Sequence, residues 1–312
     1  MYPFFSMVTH SFMAPEDFQD VTVRLIPKTF SLDIYKAIWS ELDYLSALGN
    51  TLILSVSVAL IQTFICCFIA YGLAKFKFRG NSLVFLAVIL TLAIPHQTMQ
   101  LSINMKFQSF DIFGILQFLN GGGITLFGHT FLEGIDLIHN TPQFTEIFAN
   151  GGGLRLLNTY WPLIILSVGG IAFKNGLYIF MLRQFFRGVP DELEESAYID
   201  GSGVFRTFFT IILPLSVPMM ITVFLFAFSW QWTDDFYTGL FFVNSQDTVL
   251  MKDLLIKQPQ SLMTTKQWSL PGYQEAVRQT TGIMIIAPLI VMYLFCQKYL
   301  VQGIERSGLT AD

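Results

Sequence analysis

The sequence predicts an all-α chain that crosses a membrane several times. Two observations carry this. Hydrophobic residues fill 53% of the 312 positions and charged residues only 13%, with a mean hydropathy of +0.55; a soluble domain carries about 25% charged residues. The apolar residues are also gathered into runs close to the roughly 20 residues that cross a bilayer. A segment in lipid must satisfy its own backbone, so such runs are read as helices.

Five full spans are expected, at about 51–71, 83–101, 160–180, 217–232 and 283–300. Residues 1–13 (MYPFFSMVTHSFM) are apolar but too short to span. Residues 14–50 are polar and mixed in charge, and are read as an external segment. The first span ends at Lys75, Lys77 and Arg79, a basic cluster that places this end in the cytoplasm. The second carries Pro95 in its outer half, with His96 beside it as an interfacial or pore-facing residue. Residues 104–158 form a long external insert holding two Asn-Gly-Gly-Gly runs, Asn120–Gly123 and Asn150–Gly153, each preceded by a phenylalanine, Phe118 and Phe148. The glycines read as turns around a short helix near Phe131–His139. The insert is either a functional loop or a decoration.

The span at 160–180 contains Lys174 and Asn175. An intramembrane lysine is costly unless it faces water or a partner. It either lines a pathway or makes a structural hydrogen bond to a neighbouring helix or subunit. Gly169 and Gly170 allow close helix approach. Arg183 and Arg187 return the chain to the cytoplasm. The next span ends in Trp230-Gln231-Trp232-Thr233-Asp234-Asp235, with aromatic residues at the interface and acids outside.

Several chemistries find no support. The cysteines Cys66, Cys67 and Cys296 lie in apolar segments and match neither a metal spacing nor a disulfide framework. No phosphate-cradling Gly-x-x-x-x-Gly-Lys-Ser/Thr occurs, so no ATP site is expected in this chain. No metal motif and no Gly-x-Ser-x-Gly is present, so no catalytic residues are assigned. A net charge of −4 without a basic stripe argues against nucleic acid. A secondary carrier would want mid-membrane carboxylates, and every Asp and Glu maps to a loop or span end. An intramembrane enzyme is the weaker alternative.

One water-adapted stretch interrupts this pattern, at 187–214. Pro190 suits the first turn of a helix. Asp191, Glu192, Glu194 and Glu195 crowd its N-terminal half, where the helix dipole favours anions. Gly201 is placed to end it in a left-handed conformation. A second amphipathic segment follows through Val204, Phe205, Phe208, Phe209 and Ile212. Pro214 and Pro218 then mark the entry to the next span.

Glu195-Ser196-Ala197, Gly201 and Ile211-Ile212-Leu213-Pro214 keep all the spacings of the Glu-Ala-Ala loop of ABC importer permeases, with Ser196 replacing the first alanine. The stretch therefore resembles that family, and its Asp200-Gly201 pair resembles the carbohydrate, maltose-type branch. Ala70–Gly80 (AYGLAKFKFRG), Met181–Arg187 (MLRQFFR), Trp230–Phe236 and the tail Gln297–Gly308 are similar to further family patterns. So is the end of a first transmembrane helix at 1–13, which makes that segment a remnant of the family's first span.

The resemblance implies a type I ABC importer permease, built on 51–312 as a helical transmembrane domain in a bacterial inner membrane. Its C-terminus and Glu-Ala-Ala loop would lie in the cytoplasm. It implies a second permease subunit in a heterodimer, cytoplasmic ATP-binding subunits holding Mg-ATP, and an extracellular or periplasmic solute-binding protein. Glu192, Glu194, Glu195, Ser196, Ala197, Asp200, Gly201, Leu213 and Pro214 would couple the chain to the ATPase. The cargo would be a sugar or oligosaccharide; another solute such as glycerol phosphate is the alternative.

Overall fold

A computed structural model describes residues 2–20, 22–23, 25–111, 124–126, 129–132, 154–243 and 248–306. The chain divides into two compact units. The first holds Met1–Ala59, Ile221–Asp234 and Gln246–Glu305; the second holds Leu60–Met220, Asp235–Ser245 and Arg306–Asp312.

The helices in chain order are α1 (Tyr2–His10), α2 (Asp33–Glu41), α3 (Tyr44–Lys75), α4 (Asn81–Ala93), α5 (Gln100–Gln108), α6 (Trp161–Val168), α7 (Asn175–Arg187), α8 (Glu192–Ile199), α9 (Val204–Thr207), α10 (Leu213–Trp232), α11 (Phe236–Phe241), α12 (Gln260–Met263) and α13 (Pro271–Arg306). A two-stranded antiparallel ribbon, β1 (Ile124–Leu126) and β2 (His129–Leu132), lies in the insert. The expected short helix therefore does not begin at Phe131, which is in β2; residues 133–139 lie outside the described residues. Strand-prone Ile124, Thr125, Thr130 and Phe131 favour the extended form.

Among the described residues, three continuous helices are long and apolar enough to cross a membrane: Tyr44–Lys75, Val204–Trp232 and Pro271–Leu300. Each is longer than its expected span. The expected start at 217 moves back because the helix runs through Pro214, immediately after a π-helical turn at Phe208–Ile212. A widened turn there takes up the register change at a proline that cannot donate its N–H.

The other two expected spans are not continuous. The segment at 83–101 is α4 followed by a 92° bend and the helical stretch His96–Gln108. Pro95, extended at ψ 124°, separates them. The segment at 160–180 is divided into α6 and α7. Between these, Gly170 and Lys174 adopt left-handed conformations, with φ of 69° and 66°.

In the first unit, α3, α10 and α13 are tied by side chains that reach helix carbonyls. Pro288 lies inside α13 and removes the N–H that would bond to Met284, four residues earlier. The Tyr44 hydroxyl donates to that carbonyl at 2.9 Å. Trp232 Nε1 donates to the next one, Ile285, at 3.0 Å. Thr222 donates to the Tyr299 carbonyl at 3.1 Å. Nearby, the buried Asp17 carboxylate accepts the Lys28 and Thr29 N–H groups at 2.9 and 3.0 Å.

In the second unit, the insert leaves and returns at neighbouring points. Phe110 and Leu154 exchange both backbone hydrogen bonds at 2.8 Å. Phe107 stacks on Phe110 and meets Phe241 edge-on, with centroids 5.4 and 5.2 Å away. The triple-glycine runs, Asn120–Gly123 and Asn150–Gly153, lie outside the described residues.

Candidate functional site

The acidic stretch forms α8, a turn, and α9 leading into α10. Asp191 is the N-cap residue, and its carbonyl accepts the N–H groups of Glu194 and Glu195, both at 3.0 Å. Pro190 therefore precedes the helix instead of occupying its first turn. Gly201 ends α8 as anticipated, at φ 82°. Gly201 N–H bonds to the Tyr198 carbonyl at 3.0 Å and Ser202 N–H to the Ala197 carbonyl at 2.9 Å. This paired pattern is the Schellman termination, which needs a left-handed residue at that position. No atom beyond the chain neighbours comes within 4 Å of a Cβ built at Gly201, so its requirement is conformational and not steric.

α8 has two unlike faces. Glu194 and Ala197, three residues apart, are buried and share one side of the helix. Glu192, Glu195, Ser196 and Asp200 are exposed. The glutamate of the Glu-Ala-Ala pattern, Glu195, thus faces outward, while its neighbour Glu194 is the one drawn in. Ser196 folds back on its own helix, donating to the Leu193 carbonyl at 3.1 Å. Further outward-facing apolar side chains are Ile199, 86% exposed, and Phe205, 77% exposed. Leu213 is half-buried and Pro214 exposed, both in the first turn of α10.

The inner face is joined to the last turn of α3. Tyr71 donates to Glu194 Oε1 at 2.5 Å. Lys75 Nζ lies 3.5 Å from Glu194 Oε2. The same ammonium donates to the Val189 carbonyl and to Asp191 Oδ1, each at 2.6 Å. Tyr71 and Lys75 are four residues apart, so one face of α3 presents both. The Lys75 and Glu194 side chains are only 7% and 9% exposed. The hydrogen bond from Lys75 holds the Asp191 carboxyl below its ordinary range.

Aromatic packing seats this joint. The Tyr71 ring meets Phe76, Phe186 and Phe208 at 5.6, 5.6 and 4.7 Å. Phe208 opens the π-helical turn, so α3, α7 and the helix after the elbow converge on one tyrosine. Arg183 of α7 donates to the Leu73 carbonyl at 3.3 Å and lies over the Phe85 ring at 3.9 Å. Sequence reasoning used Lys75 for orientation only and missed Tyr71. The usable signal was their spacing of four before a buried acidic turn.

The candidate pathway residues fall at the break between α6 and α7. Lys174 is the left-handed N-cap residue of α7, and Asn175 begins that helix. Asn175 is buried, and neither its side-chain Oδ1 nor its Nδ2 has a hydrogen-bond partner among the described residues. The structure does not bring these two residues to the α8 joint.

Known proteins resemble this chain over most of its length. It is 26% identical over 308 residues to the polygalacturonan/rhamnogalacturonan transport system permease protein YtcP of Bacillus subtilis, covering 96% of this chain and 89% of that one. It is 29% identical to the alpha-glucoside transport system permease protein AglG of Rhizobium meliloti, covering 89% of this chain and 60% of that one. Among solved structures, a bacterial ABC transporter involved in the import of the acidic polysaccharide alginate shares the fold. Its TM-score is 0.64 at 18% identity, over 96% of this chain and 90% of that one. The family described as the binding-protein-dependent transport system inner membrane component matches residues 62–306, which contain the whole α3–α8 joint. With that match across most of its length, this chain belongs to the family of binding-protein-dependent transport inner membrane components.

Proposed function

We propose that the chain is the membrane-spanning permease subunit of an ATP-driven importer for a sugar or oligosaccharide. The observation that carries this is the two-faced α8. Its inner face is joined to α3, its outer face presents Glu192, Glu195 and Ile199, uncovered among the described residues, and Phe205 of α9 is exposed beyond the elbow. A helix with one anchored and one open face suits transmission of movement from another subunit. The saccharide reading draws on relatives whose names concern polygalacturonan/rhamnogalacturonan and alpha-glucoside transport.

In this reading α8 lies in the cytoplasm against an ATP-binding subunit, and Mg-ATP is held and hydrolysed there. Closure of two such subunits moves α8, and the joint passes the movement to α3 and α10. A second permease subunit completes the path, and a solute-binding protein delivers the cargo outside. Lys174 and Asn175 line the path. The test is reconstitution of the complex encoded with this chain in liposomes. ATP-dependent uptake of labelled saccharide, lost on Ile199→Asp together with capture of the ATP-binding subunit, is the expected result. Uptake that persists without ATP sinks the proposal.

A further inference from the structure

The first unit carries a charged cavity at the N-terminal end of α13. Its volume is about 410 Å³, and it is lined by Ile256 and Lys257, which precede α12, and by Gln274, Glu275 and Arg278 of α13. Lys257, Glu275 and Arg278 are all exposed. Neither cationic side chain has an ion-pair or hydrogen-bond partner among the described residues. Glu275 Oε1 accepts a hydrogen bond from Gln279 Nε2 at 3.1 Å, and its second oxygen can take another donor. Gln274 Nε2 donates to the Trp268 carbonyl at 2.7 Å, which holds a tryptophan beside the cavity. The site thus presents two cations and one carboxylate together.

Its place in the chain says what kind of ligand would fit. α13 is long and apolar enough to cross a membrane, and the cavity stands where its polar start, 271–281 (PGYQEAVRQTT), gives way to 282–296 (GIMIIAPLIVMYLFC). Tryptophan and long basic side chains collect at that boundary. Ile286 and Tyr293 continue the Arg278 face of α13 at helical spacing, and both are exposed. Ile256, beside the cations, is 83% exposed. A charged cavity leading onto exposed apolar side chains suits a molecule with a charged head and hydrocarbon tails. Lysine and arginine bind a phosphate through charge-assisted hydrogen bonds, about twice as strong as neutral ones. Glu275 would repel a head that is only anionic. It would pair with a primary ammonium carried a short distance from the phosphate.

We propose that this cavity holds the headgroup of a phosphatidylethanolamine molecule, with Lys257 and Arg278 on its phosphate and Glu275 on its ammonium. The site is separate from the α8 joint and independent of the cargo. The test titrates the detergent-purified complex with three lipids of identical acyl chains and counts the first lipid bound by native mass spectrometry. The lipids are phosphatidylethanolamine, phosphatidylcholine, whose trimethylated ammonium cannot donate a hydrogen bond, and phosphatidylglycerol, which has no ammonium. The wild type is expected to bind phosphatidylethanolamine about tenfold more tightly than either of the others, the worth of one charged hydrogen bond. Glu275→Gln should abolish that preference while phosphatidylglycerol binds at least as well as before. Lys257→Gln combined with Arg278→Gln should weaken all three lipids at least tenfold. The same spectra show whether each variant complex is assembled. Equal wild-type affinity for the three lipids would overturn the proposal, as would binding unchanged in the double variant. Binding of no lipid by the assembled wild type would overturn it too, and would mean that another subunit covers this face. Displacement of the bound lipid by an equal concentration of soluble phosphoethanolamine would reassign the site to a free solute.

Discussion

At the scale of single residues, the α8 joint concentrates its strength in Tyr71, Lys75 and Glu194. Glu194 is a buried carboxylate served by one hydroxyl and one ammonium. Tyr71→Phe deletes a hydrogen bond to a charged group, a loss of about 1.5–3 kcal/mol, while keeping the ring packing. Lys75→Met leaves the carboxylate without its cation, which costs about 3–5 kcal/mol for a buried pair. Uptake per ATP hydrolysed should fall in both, further in Lys75→Met, and the ratio of the two rates in liposomes checks this. Gly201→Val forces a β-branched residue into a left-handed conformation that costs an L-residue about 1–2 kcal/mol. It should uncouple hydrolysis from uptake at a normal membrane level, as read by immunoblot beside both rates. Asp191 adds a pH dependence. Its carboxyl is held below the ordinary range by Lys75, so its contribution is full above that range and fades as pH falls through the lowered value. Because its side chain is 78% exposed, the contribution is small. Asp191→Asn should flatten only the acid limb of the coupling ratio.

At the scale of elements, prolines and glycines decide where these helices bend and what then holds them. Pro288 frees the Met284 carbonyl, and Tyr44 and Trp232 bond to it and its neighbour, so α13 continues through its proline. Pro95 instead interrupts the helix, and the bend reaches 92°. The residue type was visible in the sequence in both cases, but the outcome depended on which side chains from distant segments could reach the freed groups. The Gly169-Gly170 pair was legible as a site of close approach, and Gly170 is one, since a Cβ there would stand 2.9 Å from Ile69 Cδ1 of α3; the approach of Gly176 to α4 and the interruption of the span at Gly170 were not legible. Gly201 was fully legible, because a helix stop is a local matter of φ and two hydrogen bonds. Glu194 and Glu195 were not distinguishable by composition; only the helical phase relative to α3 separates the buried one from the exposed one. Gly176→Ala tests the element-scale packing. Its new Cβ would stand 2.8 Å from the backbone carbonyl of Val88, so α4 or α7 must shift, at about 1–3 kcal/mol. Lower thermal stability of the purified complex in detergent is the expected outcome, with α8 coupling unchanged in what still folds.

At the scale of the whole molecule, apolar content and spacing were sufficient for the class of fold, because a bilayer leaves the backbone few solutions. The family match at 62–306 runs from within α3 to the end of α13. The insert was legible only as an interruption. Its glycine runs say nothing about where its two ends meet, and that closure is set by the Phe110–Leu154 backbone pair and the Phe107–Phe241 contact. Both lie outside residues 117–152, so excising those residues leaves the closure and its aromatic footing intact. A deletion of 117–152 bridged by a short glycine linker should therefore reach the membrane and assemble with its partners normally. If the insert receives the solute-binding protein, the deletion will reduce stimulation of ATP hydrolysis by loaded binding protein while basal hydrolysis stays at the wild-type rate. Equal stimulation and equal uptake in the deleted chain would instead assign the insert no essential part in docking.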